Sequence, residues 1–186
     1  METHGKNAAR LIDREDSALV VIDVQEKLLP AMHHHQAMLA AGVMVAGFAR
    51  LIGLPVVVTE QEKLGPTVPP LASALPEFEP IMKIEFDSCL RPEFRDALAA
   101  LGRKNVIVFG IESHVCVTQT VLSLLPDYNV HVVGDAVSSR TEGNREVAIG
   151  RMRDAGAVVT SAEMVIFELL KKAGTDEFRE TLKMVK

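Results

Sequence analysis

The sequence predicts a three-layer α/β/α protein with a mostly parallel sheet of about six strands, which is a Rossmann-like arrangement. Two observations predict this fold class. Short apolar runs rich in valine and isoleucine recur along the chain, and longer segments with helical periodicity follow them. Glycine or proline ends most of these segments. Strands that alternate with helices in this way are typical of βαβ units, whose crossover helices cover both faces of a parallel sheet.

The first half of the chain carries two strands, one helix and one long loop. The first strand is predicted over residues 17–24, with Asp23 close to its carboxyl end. A helix over residues 33–52 stops at Gly53, and the second strand follows over residues 54–59. Residues 60–80 contain five prolines and a glycine, which disfavour regular structure for most of that length. We therefore expect a lid-like loop at the ligand edge of the sheet.

The second half repeats the strand and helix alternation. Strands are predicted over residues 81–84, 105–109, 128–133 and 157–160, and helices over residues 92–101, 113–125, 142–155, 161–173 and 175–185.

Composition limits the class of protein. The 186 residues are 48% hydrophobic and contain no linker, so residues 1–186 are expected to form a single domain with residues 1–16 as an amino-terminal extension. The net charge of -5, with scattered basic residues, argues against a nucleic-acid partner. No export signal or membrane-spanning run of roughly 18 residues is recognisable, so we expect no membrane partner and a cytoplasmic location. An organellar presequence stays open, because Lys6, Arg10 and Arg14 could share one helical face.

The segment 104–119, KNVIVFGIESHVCVTQ, is the first candidate for chemistry. Gly110 ends an apolar strand, and Ser113 is a plausible N-cap for the helix that follows. Cys116 would then lie at about the third helical position, where backbone N–H groups and the helix dipole favour a thiolate. The same position suits a small buried hydrophobic residue, as most free cysteines are. Cys116 and Cys89 lack CxxC spacing and indicate reduced thiols.

Two charged residues lie at the ends of other predicted strands. Asp23 closes an apolar strand at the edge where α/β folds place ligands, although it could also be a helix N-cap or a solvated strand end. Lys83 lies between Met82 and Ile84, so its charge must find water or an acid. We expect Asp23 to be that acid, with a lysine that snorkels to the surface as the alternative.

Three consecutive histidines, residues 33–35, invite a metal-binding interpretation. Side chains on one helical face are three or four residues apart, so adjacent histidines point in different directions. A solvated helix start is the expected structure.

The segments VVIDVQ, KIEF and GIESHVCVTQT occur in the order and spacing of the isochorismatase-like hydrolase superfamily, and the chain resembles that family over residues 18–170. These are cysteine hydrolases that include nicotinamidases and N-carbamoylsarcosine amidohydrolases. The stretches TEQEKLGPTVP, GIESHVCV and DAVSSR are similar to the branch of uncharacterised isochorismatase-domain-containing proteins.

The resemblance implies a catalytic triad and an oxyanion hole. Cys116 would be the nucleophile, Asp23 the proton acceptor and donor, and Lys83 the cation that holds both. A cis peptide bond is implied between Ile111 and Glu112, and the backbone N–H groups of Glu112 and Cys116 would form the oxyanion hole. The implied activity is hydrolysis of a small amide-like molecule at a carbon–nitrogen bond through a thioester.

Three departures from the family pattern bear on the expected metal, cofactor and substrate. Nicotinamidases place an aspartate and histidines after the second strand to hold a metal, whereas residues 59–68, TEQEKLGPTV, contain neither. We therefore expect no catalytic metal and no cofactor. True isochorismatases lack the nucleophilic cysteine, so Cys116 argues against isochorismate as substrate. Glu112 and His114 either shape the pocket or cap the helix. The candidate substrate-binding residues are Gln25, Gln61, Phe86, Ser88 and His114.

Two further readings concern assembly and alternative function. The predicted helix over residues 161–173 is apolar over a wider arc than a helix that packs on one side only. We therefore expect a homo-oligomer whose contacts cover the additional apolar surface of this helix. The alternative is that the final helix covers that surface. The alternative function is an oligomeric binding or interaction protein with a vestigial triad. A Rossmann cofactor binder is disfavoured because no GxGxxG follows the first strand.

Overall fold

The computed structural model describes residues 11–185, which fold around one six-stranded sheet. All the strand pairs are parallel, and the strand order is β3-β2-β1-β4-β5-β6. The strands are β1 (Ser17–Ile22), β2 (Val56–Gln61), β3 (Ile81–Lys83), β4 (Asn105–Ile111), β5 (Asn129–Ser138) and β6 (Val158–Thr160). The predicted α/β/α class is confirmed, and its sheet is fully rather than mostly parallel.

Helices flank the sheet to complete the three layers. Helix α1 packs with α6 and α7, and α4 packs with α5. The helices are α1 (His35–Ile52), α2 (Pro69–Ala74), α3 (Pro92–Ala100), α4 (Thr118–Leu124), α5 (Glu142–Asp154), α6 (Ala162–Leu170) and α7 (Asp176–Thr181). A π-helical turn over Ser113–Val117 precedes α4.

The two central strands form the innermost part of the core. Every residue of β1 is buried, and only the first residue of β4 is partly exposed. Strands covered on both faces carry continuous apolar runs, which is why both were recognisable in the sequence. At Gly110 the strands approach so closely that an added Cβ would lie 2.0 Å from the Ile22 carbonyl oxygen. Gly110 therefore allows the carboxyl ends of β1 and β4 to lie side by side, where the candidate site is found.

Strand β5 is longer than predicted. This strand was predicted to end at residue 133, before Gly134 and Asp135, but it continues to Ser138. The register against β4 shifts between Val108 and Gly110, as at a β-bulge, and pairing resumes beyond it. A glycine inside a strand marks such an irregularity as readily as it marks a stop.

The loop over residues 60–80 is more regular and more firmly held than predicted. Strand β2 runs on to Gln61, and the prolines at positions 69 and 70 begin the short helix α2 rather than prevent it. The Gln25 side chain donates to the carbonyl oxygens of Gln61 (2.9 Å) and Gly65 (2.5 Å). The first part of this loop is thereby anchored to the turn after β1, and its action as a lid stays a prediction.

Helix α1 is the one helix of residues 11–185 that is long and apolar enough to cross a membrane, judged by length and composition. Its 18 residues have a mean hydropathy of 1.3. A run of this length and hydropathy was not recognised in the sequence. The same test is passed by core helices, and α1 packs against β5, α2 and α6 with Val45, Phe48 and Ile52 buried.

The buried His131 of β5 predicts a pH dependence of stability. Burial lowers the pKa of His131 below its ordinary value of 6.5, while Glu168 acts in the opposite direction. The unfolded chain therefore takes up this proton at a higher pH than the folded protein does. Neutral, buried His131 therefore contributes its full share of the free energy of unfolding above pH 6.5. That contribution is lost as the pH falls from 6.5 through the lower pKa that His131 has in the folded protein.

We expect the urea midpoint of the wild-type protein to fall between about pH 7 and pH 5. The variant His131→Leu should lose part of that dependence, because it removes the buried base while keeping an apolar side chain of similar size. Circular dichroism follows both transitions, and parallel curves across this range would contradict the assignment.

Candidate active site

The candidate active site lies at the carboxyl edge of the sheet. Asp23 follows β1 directly, with a positive φ of 53°. Lys83 is the last residue of β3, and Cys116 lies in the π-helical turn after β4. Carboxyl ends of parallel strands meet at one edge of a sheet. The structure therefore brings together the three residues that the sequence analysis named as a triad.

Asp23 and Lys83 form a fully buried ion pair. The Nζ atom of Lys83 lies 2.5 Å from Oδ2 of Asp23, and both side chains are 0% exposed. The same ammonium group donates to Oε1 of Gln61 at 3.0 Å and to the carbonyl oxygen of Glu85 at 3.1 Å. Its three protons thus have three acceptors. The alternative of a lysine that reaches the surface is wrong, and Lys83 is a fixed buried cation.

The second carboxylate oxygen of Asp23 is held by Thr59. The Thr59 hydroxyl donates to Oδ1 at 2.8 Å, and the backbone N–H of Asp23 donates to the Thr59 carbonyl oxygen at 3.2 Å. Thr59 was not among the residues predicted for the site. The available signal was strand alternation, which places Thr59 and Gln61 on one face of β2 and Glu60 on the other.

Cys116 completes the cluster as a buried thiol. It is 6% exposed, and the Asp23 side chain, Lys83 and the Glu112 backbone all lie close enough to act on its pKa. Burial first, and then the charge of Asp23, raise the pKa of Cys116 to about 12, whereas Lys83 and the Glu112 backbone lower it. The resting thiol is therefore protonated at neutral pH, with the Asp23 carboxylate nearby.

The turn that carries Cys116 differs from the predicted helix start. Ser113 was predicted as an N-cap, but its hydroxyl is buried without a hydrogen-bond partner among residues 11–185. Residues Ser113–Val117 form a π-helical turn, and α4 begins only at Thr118. The expectation of a thiolate stabilised by the helix start is thus replaced by a thiol governed by burial and Asp23. The peptide bond between Ile111 and Glu112 is cis.

Glu112 and His114 each contact a residue that the sequence analysis did not name. The Nε atom of Arg140 donates to the Glu112 carboxylate at 2.9 Å. The Nδ1 atom of His114 lies 3.0 Å from the Ser139 hydroxyl oxygen. Ser139 and Arg140 follow β5 directly, so the late extension of that strand is what brings them to the site. Neither Glu112 nor His114 caps α4.

The remaining candidate substrate-binding residues have different environments. Gln61 contacts Lys83, as described above, and Phe86 is 55% exposed. Ser88 is buried, and both its backbone N–H and its hydroxyl contact the Thr120 hydroxyl of α4. The Gln25 amide accepts from the Gln61 N–H at 2.8 Å and donates to two loop carbonyls. Gln25 therefore holds β2 and the following loop in place, and its contact with substrate stays a prediction.

No group of three or more histidine, cysteine, aspartate or glutamate side chains within residues 11–185 is arranged to hold a metal ion. The expectation of a metal-independent and cofactor-free site is unchanged by this observation and stays a prediction.

A parallel α/β sheet with a cysteine, an aspartate and a lysine gathered at its carboxyl edge defines the class of isochorismatase-like hydrolase folds. Residues 17–164 match the Isochorismatase domain model, and the chain belongs to this family. The family resemblance drawn from the three sequence motifs is therefore confirmed.

Two curated relatives cover most of this chain. The secreted isochorismatase effector Isc1 of Phytophthora sojae is 42% identical over 97% of this chain and 89% of its own length. The mouse isochorismatase domain-containing protein 2A is 35% identical over 92% of this chain and 84% of its own length. The second relative belongs to the branch that the sequence stretches resemble.

Two solved structures share the fold over nearly the whole chain. The MAR1 ribonuclease from Caenorhabditis elegans is 39% identical and has a TM-score of 0.88, covering 95% of this chain and 92% of its own. The YcaC gene product of Escherichia coli, described as an octameric hydrolase of unknown specificity, is 26% identical with a TM-score of 0.84. That match covers 94% of this chain and 86% of the YcaC chain.

The opposing effects of Asp23 and Lys83 on the Cys116 pKa predict opposite changes in thiol reactivity. Asp23→Asn removes the charge that raises the pKa, so we expect iodoacetamide to label Cys116 about tenfold faster near pH 8. Lys83→Met removes the charge that lowers the pKa, so labelling should become slower.

Peptide-resolved mass spectrometry measures both cysteines in the same sample. Cys89 is the internal reference, because burial and Asp87 also raise its pKa to about 12. Circular dichroism checks that both variants are folded. If Cys116 is labelled at the same rate in the two variants, the ion pair does not determine the reactivity of this thiol. If the labelling rate of Cys89 changes in parallel, the substitution has destabilised the fold in general.

Proposed function

We propose that this protein is a metal-independent cysteine hydrolase that cleaves a carbon–nitrogen bond of a small amide-like substrate through a thioester. One observation carries the proposal. The Asp23 carboxylate is paired at 2.5 Å with the buried ammonium group of Lys83, and the buried Cys116 lies close enough for both charges to act on its pKa. A nucleophile beside a base, with the base oriented by a third group, is the geometry that nucleophilic catalysis requires.

In the acylation step, the Cys116 sulfur attacks the substrate carbonyl carbon while its proton passes to Asp23. The carbonyl oxygen becomes an oxyanion, for which the backbone N–H groups of Glu112 and Cys116 are the proposed donors. The oxyanion then collapses, the carbon–nitrogen bond breaks, and Asp23 returns the proton to the leaving nitrogen. The products of this step are the amine and a thioester on Cys116.

In the deacylation step, Asp23 accepts a proton from water as the water attacks the thioester. The carbon–sulfur bond breaks, and the proton returns to the sulfur, so that one amide and one water give one acid and one amine. The Lys83 ammonium group contacts three acceptors and is not a carrier of the transferred proton in this scheme. Its proposed role is electrostatic, because it offsets the negative charge of Asp23 and of the sulfur.

The pKa of Cys116 supports attack coupled to proton transfer. A thiol whose pKa is raised to about 12 by burial is almost entirely protonated at neutral pH and is a poor nucleophile by itself. With a substrate carbonyl bound, the Asp23 carboxylate is the proposed acceptor of that proton as the carbon–sulfur bond forms, so a free thiolate is not required. This also protects the thiol from unselective reactions in the resting protein.

The names of two similar proteins suggest isochorismate and RNA as alternatives to an amide substrate. The P. sojae relative is named an isochorismatase effector, and the C. elegans protein is named a ribonuclease. Neither name decides the substrate of this chain. The net charge of -5 disfavours RNA, and the presence of the Cys116 nucleophile favours an amide over a vinyl ether.

We expect turnover of at least one member of a panel of small primary and secondary amides, measured by release of ammonia or amine. Cys116→Ala should lower kcat by more than about a thousandfold, because the nucleophile is lost. The matched control is Cys89→Ala, which removes the other buried thiol and should leave kcat within about twofold. Chelator should not change the rate.

Intact-mass spectrometry should detect an acyl adduct on the wild-type chain and none on Cys116→Ala. Isochorismate and a single-stranded RNA complete the panel. Turnover of either that persists in Cys116→Ala would overturn the proposal. An absence of turnover with every compound would favour the alternative, a binding protein that retains a vestigial triad.

We also propose that the protein is a homo-oligomer that uses the outer face of α6. The E. coli relative is an octamer, which supports assembly in this fold. Helix α6 buries Val165, Ile166, Leu169 and Leu170 against the core, but Met164 and Phe167 remain 54% and 41% exposed. They line a groove of about 380 Å³ together with Leu11, Glu168 and Lys171. Helix α7 therefore leaves part of the apolar surface of α6 exposed.

Light scattering coupled to size exclusion should give a mass that is a multiple of 20.3 kDa. Phe167→Glu should lower that mass at micromolar concentration, because a charge would be buried in the interface. Val147→Glu is the matched control, since Val147 is a 71% exposed apolar residue of α5, away from α6. A wild-type mass of one chain would refute assembly, and an unchanged mass in Phe167→Glu would place the interface elsewhere.

A further inference from the structure

Thr59 is a buried residue whose only hydroxyl proton is directed at the candidate proton acceptor. It is 0% exposed and pairs in register with Ile22, the last residue of β1. Its hydroxyl donates to Oδ1 of Asp23 at 2.8 Å, and its carbonyl oxygen accepts from the Asp23 backbone N–H at 3.2 Å. Thr59 therefore contacts Asp23 through both its side chain and its backbone.

The carboxylate of Asp23 is held by donors from two neighbouring strands. Thr59 of β2 takes Oδ1, and Lys83 of β3 takes Oδ2. With a donor fixed on each oxygen, the plane of the carboxylate cannot rotate without breaking one of these bonds. Threonine suits this task because its branched Cβ restricts χ1 in a strand. The Asp23 carboxylate, which acts on the pKa of Cys116, thus has a fixed orientation.

We infer that Thr59 is a positioning residue, which orients Asp23 and weakens its hold on the Cys116 proton by sharing its negative charge. This inference rests on the proposed function of Asp23 as the acceptor of that proton. Thr59 acts on the thiol through Asp23, so its effect should vanish when the carboxylate is absent. A residue that only fills space in the core would act in the same way with or without that carboxylate.

Thr67, in the loop after β2, offers a matched control because it contacts Glu60 on the opposite face of that strand. Its hydroxyl donates to the Glu60 carboxylate at 2.8 Å, the same distance as in the Thr59 pair. Thr67 is 4% exposed and Glu60 is 8% exposed. The substitution Thr67→Val therefore removes an equivalent buried bond to a carboxylate that has no contact with the proposed triad in the described structure.

The experiment is a double-mutant cycle that needs no substrate. Thr59→Val, Thr59→Ser and Thr67→Val are each prepared with Asp23 and with Asp23→Asn, and the rate of Cys116 alkylation by iodoacetamide is measured near pH 8. With Asp23 present, Thr59→Val should slow alkylation about three- to tenfold, because a carboxylate with one donor fewer holds the thiol proton more tightly. Thr59→Ser should restore the rate, and Thr67→Val should leave it unchanged.

In the Asp23→Asn background, Thr59→Val should have no effect on the alkylation rate. An equal effect in both backgrounds, no effect in either, or the same slowing in Thr67→Val would overturn the inference. If the wild-type protein hydrolyses an amide, Thr59→Val should also lower kcat with little change in KM and shift the acidic limb of the pH profile. A wild-type protein without turnover refutes the proposed function, while the alkylation cycle still decides the role of Thr59.

Discussion

The buried ion pair between Asp23 and Lys83 is the interaction on which the architecture of the site depends. Removing two charges from water costs several kcal/mol for each ion, and their attraction offsets this only when the remaining hydrogen-bonding groups are also satisfied. Here both side chains are completely buried, and every proton of the ammonium group has an acceptor. The pair spans β1 and β3 with β2 between them, so the order of these three strands sets its geometry.

The chemistry of Cys116 follows from the same pair. The carboxylate and the ammonium group together contribute no net charge, so little remains to offset the cost of burying a thiolate. Burial dominates for this reason, and the pKa of the thiol rises to about 12 despite the nearby cation. The ion pair therefore leaves the thiol protonated at rest.

The elements and residue types of this site were predictable from the sequence where local chemistry decides the structure. The continuous apolar runs of β1 and β4 require strands buried on both faces, and the buried positions of Asp23 and Lys83 require charged partners. Features that depend on neighbours in space were not predictable. Ser113 is a residue type that often caps helices, yet it begins a π-helical turn instead. The role of Thr59 likewise follows only from the register that places it opposite Ile22.

The position of Lys83 on an edge strand has a consequence for the durability of the site. Strand β3 has only three residues, pairs with β2 alone, and lies at the border of the sheet. Short edge elements open locally at a lower free energy than central strands, which open only with the whole domain. Heat would therefore release the cation from Asp23 while β1 and β4 are still folded. The ion pair is thus expected to break before the sheet unfolds, so the smallest strand limits the temperature at which the site stays intact.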